Sequence, residues 1–119
     1  MIHLKRIYVK PSHTGGVRVL VERLWPRGLT KERAAVALWL KDVAPSPQLR
    51  KWFGHDPAKW AQFQQRYRQQ LRQNDAVPSL KEQGKKETIT LMYASRDEEH
   101  NGAVVLKKFL QGRQEASEG

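Results

Sequence analysis

A chain of 119 residues with no cysteine is one domain by length, and it excludes a disulfide scaffold, a thiolate metal site and a cysteine nucleophile together. Its 22 Lys and Arg against 12 Asp and Glu give a net charge of +10, which favours an anionic partner, either a phosphate-containing small molecule or nucleic acid. No apolar run approaches the ~20 residues of a membrane span, and the stretch Met1 to Arg6 lacks the apolar centre of a signal peptide, so the chain reads as a cytoplasmic protein with no membrane partner.

Ile2 to Val9 alternates apolar and polar at its start and predicts a first strand. Lys10 to Gly16, with a proline and two glycines, is a loop. It is short enough to allow a hairpin and too short for a crossover helix, so the two strands are not expected to be neighbours joined by a parallel βαβ unit. Val17, Val19 and Val21 carry a second strand, which Pro26 must end, since it has no N–H for a ladder. Thr30 is a candidate N-cap for a short helix through Ala35. The apolar run Val36 to Leu40 fits either a helix end or a buried strand.

Ser46-Pro47 reads as a cap followed by a first-turn proline, opening a helix at about 48–53 that stops at Gly54. Asp56-Pro57 repeats the signal and opens the clearest helix. Trp60, Phe63, Tyr67 and Leu71 recur on one face of it, as a core stripe does. After a break at 74–78 comes a short helix, Ser79 to Gln83, ended by Gly84. Residues 88–93 make a central strand, and a last helix runs from about Ala103 to Leu110. The domain spans 1–111, and 112–119 is a polar tail expected to fray.

The positive charge is uneven. Residues 1–72 hold 15 Lys and Arg against 4 Asp and Glu, whereas residues 73–119 hold 7 against 8. Three stretches within this pattern carry chemistry. The first is Arg23-Leu24-Trp25-Pro26-Arg27-Gly28, just past a strand end, where α/β folds collect ligands. The planar forks of Arg23 and Arg27 match phosphate or carboxylate oxygens. Arg23 is alternatively a structural anchor, pairing with Asp42 or a helix C-terminus, and Trp25 is either a pocket wall or a packing residue. The second is the turn holding His55, a proton-transfer candidate, beside Asp56, whose structural role is an N-cap. The third is Ser95-Arg96-Asp97-Glu98-Glu99-His100-Asn101 after the late strand. It offers a general base or a metal ligand, or else an acidic first turn facing a helix N-terminus. No metal-ligand spacing, phosphate loop or dinucleotide fingerprint occurs, so no metal and no cofactor are assigned.

Four segments, 21–29, 39–46, 49–57 and 91–101, resemble in order and spacing the YeaO-like branch of the domain-of-unknown-function 488 family. The resemblance covers about residues 2–111 and implies a small bacterial or archaeal α/β protein without an established activity. The wider family has an arginine and a proline three apart, matched by Arg23 and Pro26. It also tends to have a cysteine at the end of a late strand and a Cys-His-Arg cluster beyond it. Tyr93 stands at the first of those positions, and Asn101, Gly102 and Ala103 at the cluster. Cysteine chemistry is thereby closed to this chain. Any activity must rest on Arg23, Arg27, Tyr93, Ser95, Asp97, His100 and Asn101.

The expected fold is α/β, a small and mainly parallel sheet flanked by helices as a three-layer sandwich. The stretches 23–28 and 95–101 are expected to share one cleft. Arg23, Trp25, Arg27, Ser95, Asn101 and His55 would bind there, and His100, Asp97 and Tyr93 would do chemistry. Three readings follow: an enzyme acting on a phosphorylated or nucleotide-like small molecule, a nucleic-acid-binding accessory protein using the basic first three-fifths, and a protein interaction module. The sequence leaves the oligomeric state open.

Overall fold

In the computed structural model, which describes residues 1–112, four strands form one parallel sheet in the order β1-β4-β2-β3. β1 is Ile2–Arg6, β2 Val17–Leu20, β3 Leu38–Trp39 and β4 Ile89–Tyr93. The helices are α1 (Lys31–Ala34), α2 (Pro47–Phe53), α3 (Trp60–Arg72), α4 (Val77–Lys86) and α5 (Gly102–Gln111). The tail assigned from the sequence lies outside the described residues beyond Gly112. Gly112 itself caps α5 in a left-handed conformation.

β4 is central and buried along its whole length, as its run of apolar residues requires. Ile89, Leu91 and Tyr93 face one side with Val19 and Val21, and meet Phe63, Tyr67, Val105 and Leu106 from the helices. The stripe read from the sequence supplies this core: Phe53 stacks on Phe63 at 4.3 Å, and Trp60 and Tyr67 extend the cluster. The other face is covered more thinly. Leu20, Met92 and Ile7 pack there beneath Ala34, Trp25, Leu29 and Trp39. Arg18 is buried in this layer, and its Nε donates to the Ala34 carbonyl at 2.8 Å. Burial lowers its pKa below the usual guanidinium range.

The first two strands are not neighbours, as their short connection implies, and the hairpin that it allows does not form. Both run parallel to β4, which lies between them, with Ile2 and Val17 each opposite Ile89. The connecting segment makes the return without a helix. Thr90 Oγ1 donates to the Gly15 carbonyl at 2.6 Å, and Gly16 takes a φ of +64° directly against Thr88. A Cβ at Gly16 would lie 2.0 Å from the Thr88 carbonyl oxygen, so this crossing needs a glycine. The run 36–40 yields only the short edge strand β3, paired with Val19 and Leu20. Finally, Gly84 does not stop its helix. α4 continues to Lys86, and Gly84 is where Ile2 packs closest, 3.1 Å from where a Cβ would stand. Among the described residues, no helix is long and apolar enough to cross a membrane.

Candidate functional site

The carboxyl ends of β2 and β4 lie side by side, because these strands pair in parallel register. The chain leaving β2 carries Glu22, Leu24, Trp25 and Pro26. The chain leaving β4 carries Ala94 and Ser95. These residues meet around a cavity of about 280 Å³, which Arg50 and His55 complete. A smaller, more enclosed space of about 60 Å³ continues inward past Glu22, Arg50, His55 and Ser95 to Tyr93, Asn101, Phe53 and Phe63.

Glu22 holds the seam between the strands. Its Oε1 accepts the Ala94 N–H at 2.9 Å, and its own carbonyl accepts Trp39 Nε1–H at 2.7 Å. Burial raises its pKa above the usual carboxylate value. The Ala94 N–H and the charges of Arg50 and His55 offset only part of that. Arg50 stands exposed on α2, at the mouth. α2 ends at Gly54, whose φ of +53° makes a left-handed cap. His55 follows with a φ of +59°, a region costly for a residue with a side chain. Two successive left-handed residues turn the chain so that the imidazole borders the cavity. Backbone strain held at a cavity rim is an observation that favours a functional reading.

The other residues singled out from the sequence divide into those on the cavities and those that build their walls. Trp25, Ser95 and His55 line the outer space, and Tyr93 and Asn101 the inner one. Trp25 is held by Trp39 edge-on at 5.3 Å and by its Nε1–H donated to the Leu29 carbonyl. Burial raises the pKa of Tyr93, and nearby Glu98 and Asp97 push the same way. Arg23 lines neither cavity. Its Nε donates to the Pro45 carbonyl at 2.9 Å and its Nη2 to the Ala44 carbonyl at 3.3 Å, tying the end of β2 to the approach to α2. Arg27 is exposed and away from the cavities, and its carbonyl accepts the Tyr8 hydroxyl.

Asp97 and His100 pair with each other, Nδ1 to Oδ2 at 2.9 Å, and border neither cavity. Asp97 Oδ1 also accepts the N–H groups of Glu99 and His100. These bonds hold the Asp97 carboxyl below its usual pKa. The His100 ring sits edge-on against Trp60 at 5.1 Å. Ser95 Oγ accepts the Asp97 N–H, and Asn101 Nδ2 donates to the Asp97 carbonyl. The segment is thus a turn satisfied within itself that delivers Asn101 as the N-cap of α5, its Oδ1 accepting from Val104 N–H at 3.1 Å. Asn101→Ala is expected to cost about 1 kcal/mol and roughly 3–6 °C in melting temperature, read by calorimetry.

Glu22 and Arg50 escaped the sequence reading. Glu22 had a signal: it is one of only four acids in the first 72 residues and directly follows an apolar strand. Arg50 had none beyond its charge. No group of three or more metal-ligating side chains occurs among the described residues.

A parallel sheet flanked by helices, with a cavity at its strand carboxyl ends, defines a small α/β protein. The chain belongs to the domain-of-unknown-function 488 family: a family model described as the inactive DUF488-N3 subclade matches residues 1–119. It is similar to the uncharacterized protein YeaO of Escherichia coli, 36% identical over 110 residues, covering 92% of this chain and 96% of that one. The uncharacterized protein Rv3073c of Mycobacterium tuberculosis is also 36% identical, over 112 residues, with coverage of 94% and 95%. No solved structure matches the chain significantly.

Proposed function

We propose that the protein binds, without turning over, a small phosphate-bearing molecule in the cavity between β2 and β4. The observation that carries this reading is that Arg50 and His55 border one cavity at the carboxyl ends of two parallel strands. Arg50 supplies positive charge, and Arg50 and His55 supply N–H donors for the anion. Ser95 adds a hydroxyl, and Trp25, Leu24 and Pro26 supply an apolar wall for the rest of the ligand. A volume of about 280 Å³ sits at the lower end of ligand pockets and suits a nucleobase or nucleoside monophosphate rather than a dinucleotide.

Two observations favour binding over catalysis. The subclade's description is inactive. The residues first suggested for proton transfer, Asp97 and His100, are spent on each other outside the cavity. Arg23 and Arg27, first suggested as the anion site, give way to Arg50 and His55.

Calorimetric titration of the protein with inorganic phosphate and each nucleoside monophosphate tests the reading. At least one should bind, and Arg50→Ala should weaken it about fivefold, the modest loss expected for an exposed charge, with a small drop in melting temperature as Glu22 loses that attraction. A panel with no binder, or a binder indifferent to Arg50→Ala, would reject it.

A further inference from the structure

A second concave surface lies on the far side of α2. A groove of about 680 Å³ runs between α2 and α3, and its chemistry differs from that of the strand-end cavity. Amides line it. Gln70 is committed to the floor: its Oε1 accepts the Ser46 N–H at 3.0 Å and its Nε2 donates to Ser46 Oγ at 2.9 Å. Gln48, Gln69 and Gln73 are exposed along the rim, and among the described residues their side-chain amides hydrogen-bond to nothing.

Trp52 forms one wall, half-buried, with the Arg66 guanidinium 4.2 Å over its ring. Lys59 Nζ lies 5.2 Å from the same ring and is fixed there by its bond to the Trp52 carbonyl. The lining residues of the groove include Arg66 and no acid, and Lys59 stands beside them. Residues 47–73, which build both helices, contain six Lys and Arg, one of them the Arg50 of the strand-end cavity, and a single acid, Asp56.

We propose that this groove binds single-stranded nucleic acid. The proposal is independent of the ligand in the strand-end cavity. Each feature of the groove matches one part of an unpaired strand. The basic surround suits the phosphates, whose neutralisation releases counterions. The Arg66 guanidinium carbon lies 4.2 Å over the Trp52 ring, and Arg66 is exposed, so a base can approach the guanidinium from the solvent side. A base laid there extends the stack by one layer, the way splayed bases are held on aromatic rings and arginine planes.

The amides decide between a nucleic acid and an acidic peptide. A carboxylate-rich peptide needs donors only, which lysine and arginine supply, and it would leave the acceptor half of three glutamines idle. Base edges present donors and acceptors together, and so does each amide. Duplex is disfavoured by the same reasoning, because its base faces are stacked and cannot reach Trp52 and Arg66. The bland explanation, a polar helix surface, accounts for the exposed glutamines. It does not account for their arrangement around a concavity walled by a cation-stacked tryptophan.

Fluorescence anisotropy of end-labelled oligouridylate, oligothymidylate and a duplex of equal length, at low and moderate salt, tests the proposal. Single strands should bind more tightly than the duplex, with affinity falling steeply as salt rises. Arg66→Ala should lose about five- to tenfold and lower the log–log salt slope by roughly 0.7. Gln69→Glu, which places a like charge on the rim of an exposed helix face, should lose a similar factor. Both variants should melt as the parent does, since neither residue is buried. Absence of binding at low salt, equal affinity for duplex, unchanged affinity in both variants, or displacement by polyglutamate at equal charge concentration would each overturn it.

Discussion

Arg23→Ala is expected to lower the melting temperature by about 10 °C and to leave phosphate-ligand affinity, measured below that temperature, within about twofold. The guanidinium donates to two carbonyls, those of Ala44 and Pro45, in the segment that leads into α2. Ala44 and Pro45 are buried, so without Arg23 their carbonyls lose a partner that water does not readily replace. Bonds to a charged donor contribute about 1.5–3 kcal/mol each. A loss of roughly 3 kcal/mol converts to about 10 °C for a domain of this length. Arg23→Lys should recover only part, because a single ammonium cannot span both carbonyls as the fork does. Thermal melting of the three proteins beside calorimetric titration checks this. If Arg23→Ala melts normally and loses ligand, the side chain is an anion ligand and the anchor role fails.

That arginine illustrates how far the sequence reaches. Residue type and position at a strand end are legible, but the direction of the fork is not. An arginine beside an apolar strand serves an anion or a pair of carbonyls equally well, and the two carbonyls here come from a loop 21 and 22 positions away. Local periodicity carried further. Phe63, Tyr67 and Leu71 repeat at helical spacing, and all three are core. Cap signals at Thr30, Ser46 and Asp56 each appear as a side-chain oxygen accepting a backbone N–H. Non-local facts were out of reach. The first two strands are separated in the sheet by β4, supplied some seventy residues later, so no property of the short loop between them reveals the parallel arrangement. Gly84 looked like a helix stop because glycine is unfavourable inside a helix. Its reason is Ile2, at the other end of the chain. The two stretches at 23–28 and 95–101 do border one cavity through Leu24, Trp25, Pro26 and Ser95. The charged members that drew attention, Arg23, Asp97 and His100, instead brace its walls.

Glu22→Gln is expected to strengthen binding of the phosphate ligand at pH 8 by about tenfold or more and to raise the melting temperature there. The amide retains an oxygen for the Ala94 N–H, so the seam between β2 and β4 keeps its bond. What disappears is a negative charge at the edge of an anion site. At an effective dielectric constant of about 20, a unit charge a few ångströms from a phosphate opposes it by roughly 2–4 kcal/mol before solvent screening. Screening reduces this less than for exposed Arg50, which is why the gain is expected to exceed the Arg50→Ala loss.

The stability effect follows from the direction of the Glu22 shift. Burial raises its folded-state pKa above the ordinary 4.5, so the folded chain holds this proton more tightly than the unfolded one. Between those two values the folded state binds more protons, and stability falls as pH rises. Above the folded value the penalty is constant and fully present, so the parent carries it at pH 8 and the glutamine variant does not. The two melting curves should therefore converge at pH 4 and separate as pH increases, with ligand affinity separating in the same sense. A glutamine variant that binds more weakly than the parent at pH 8 would mean that the carboxylate is itself a ligand contact, accepting a hydrogen bond from a donor on the bound molecule. A variant no more stable than the parent at pH 8 would mean that the Ala94 N–H and Arg50 fully compensate the half-buried charge.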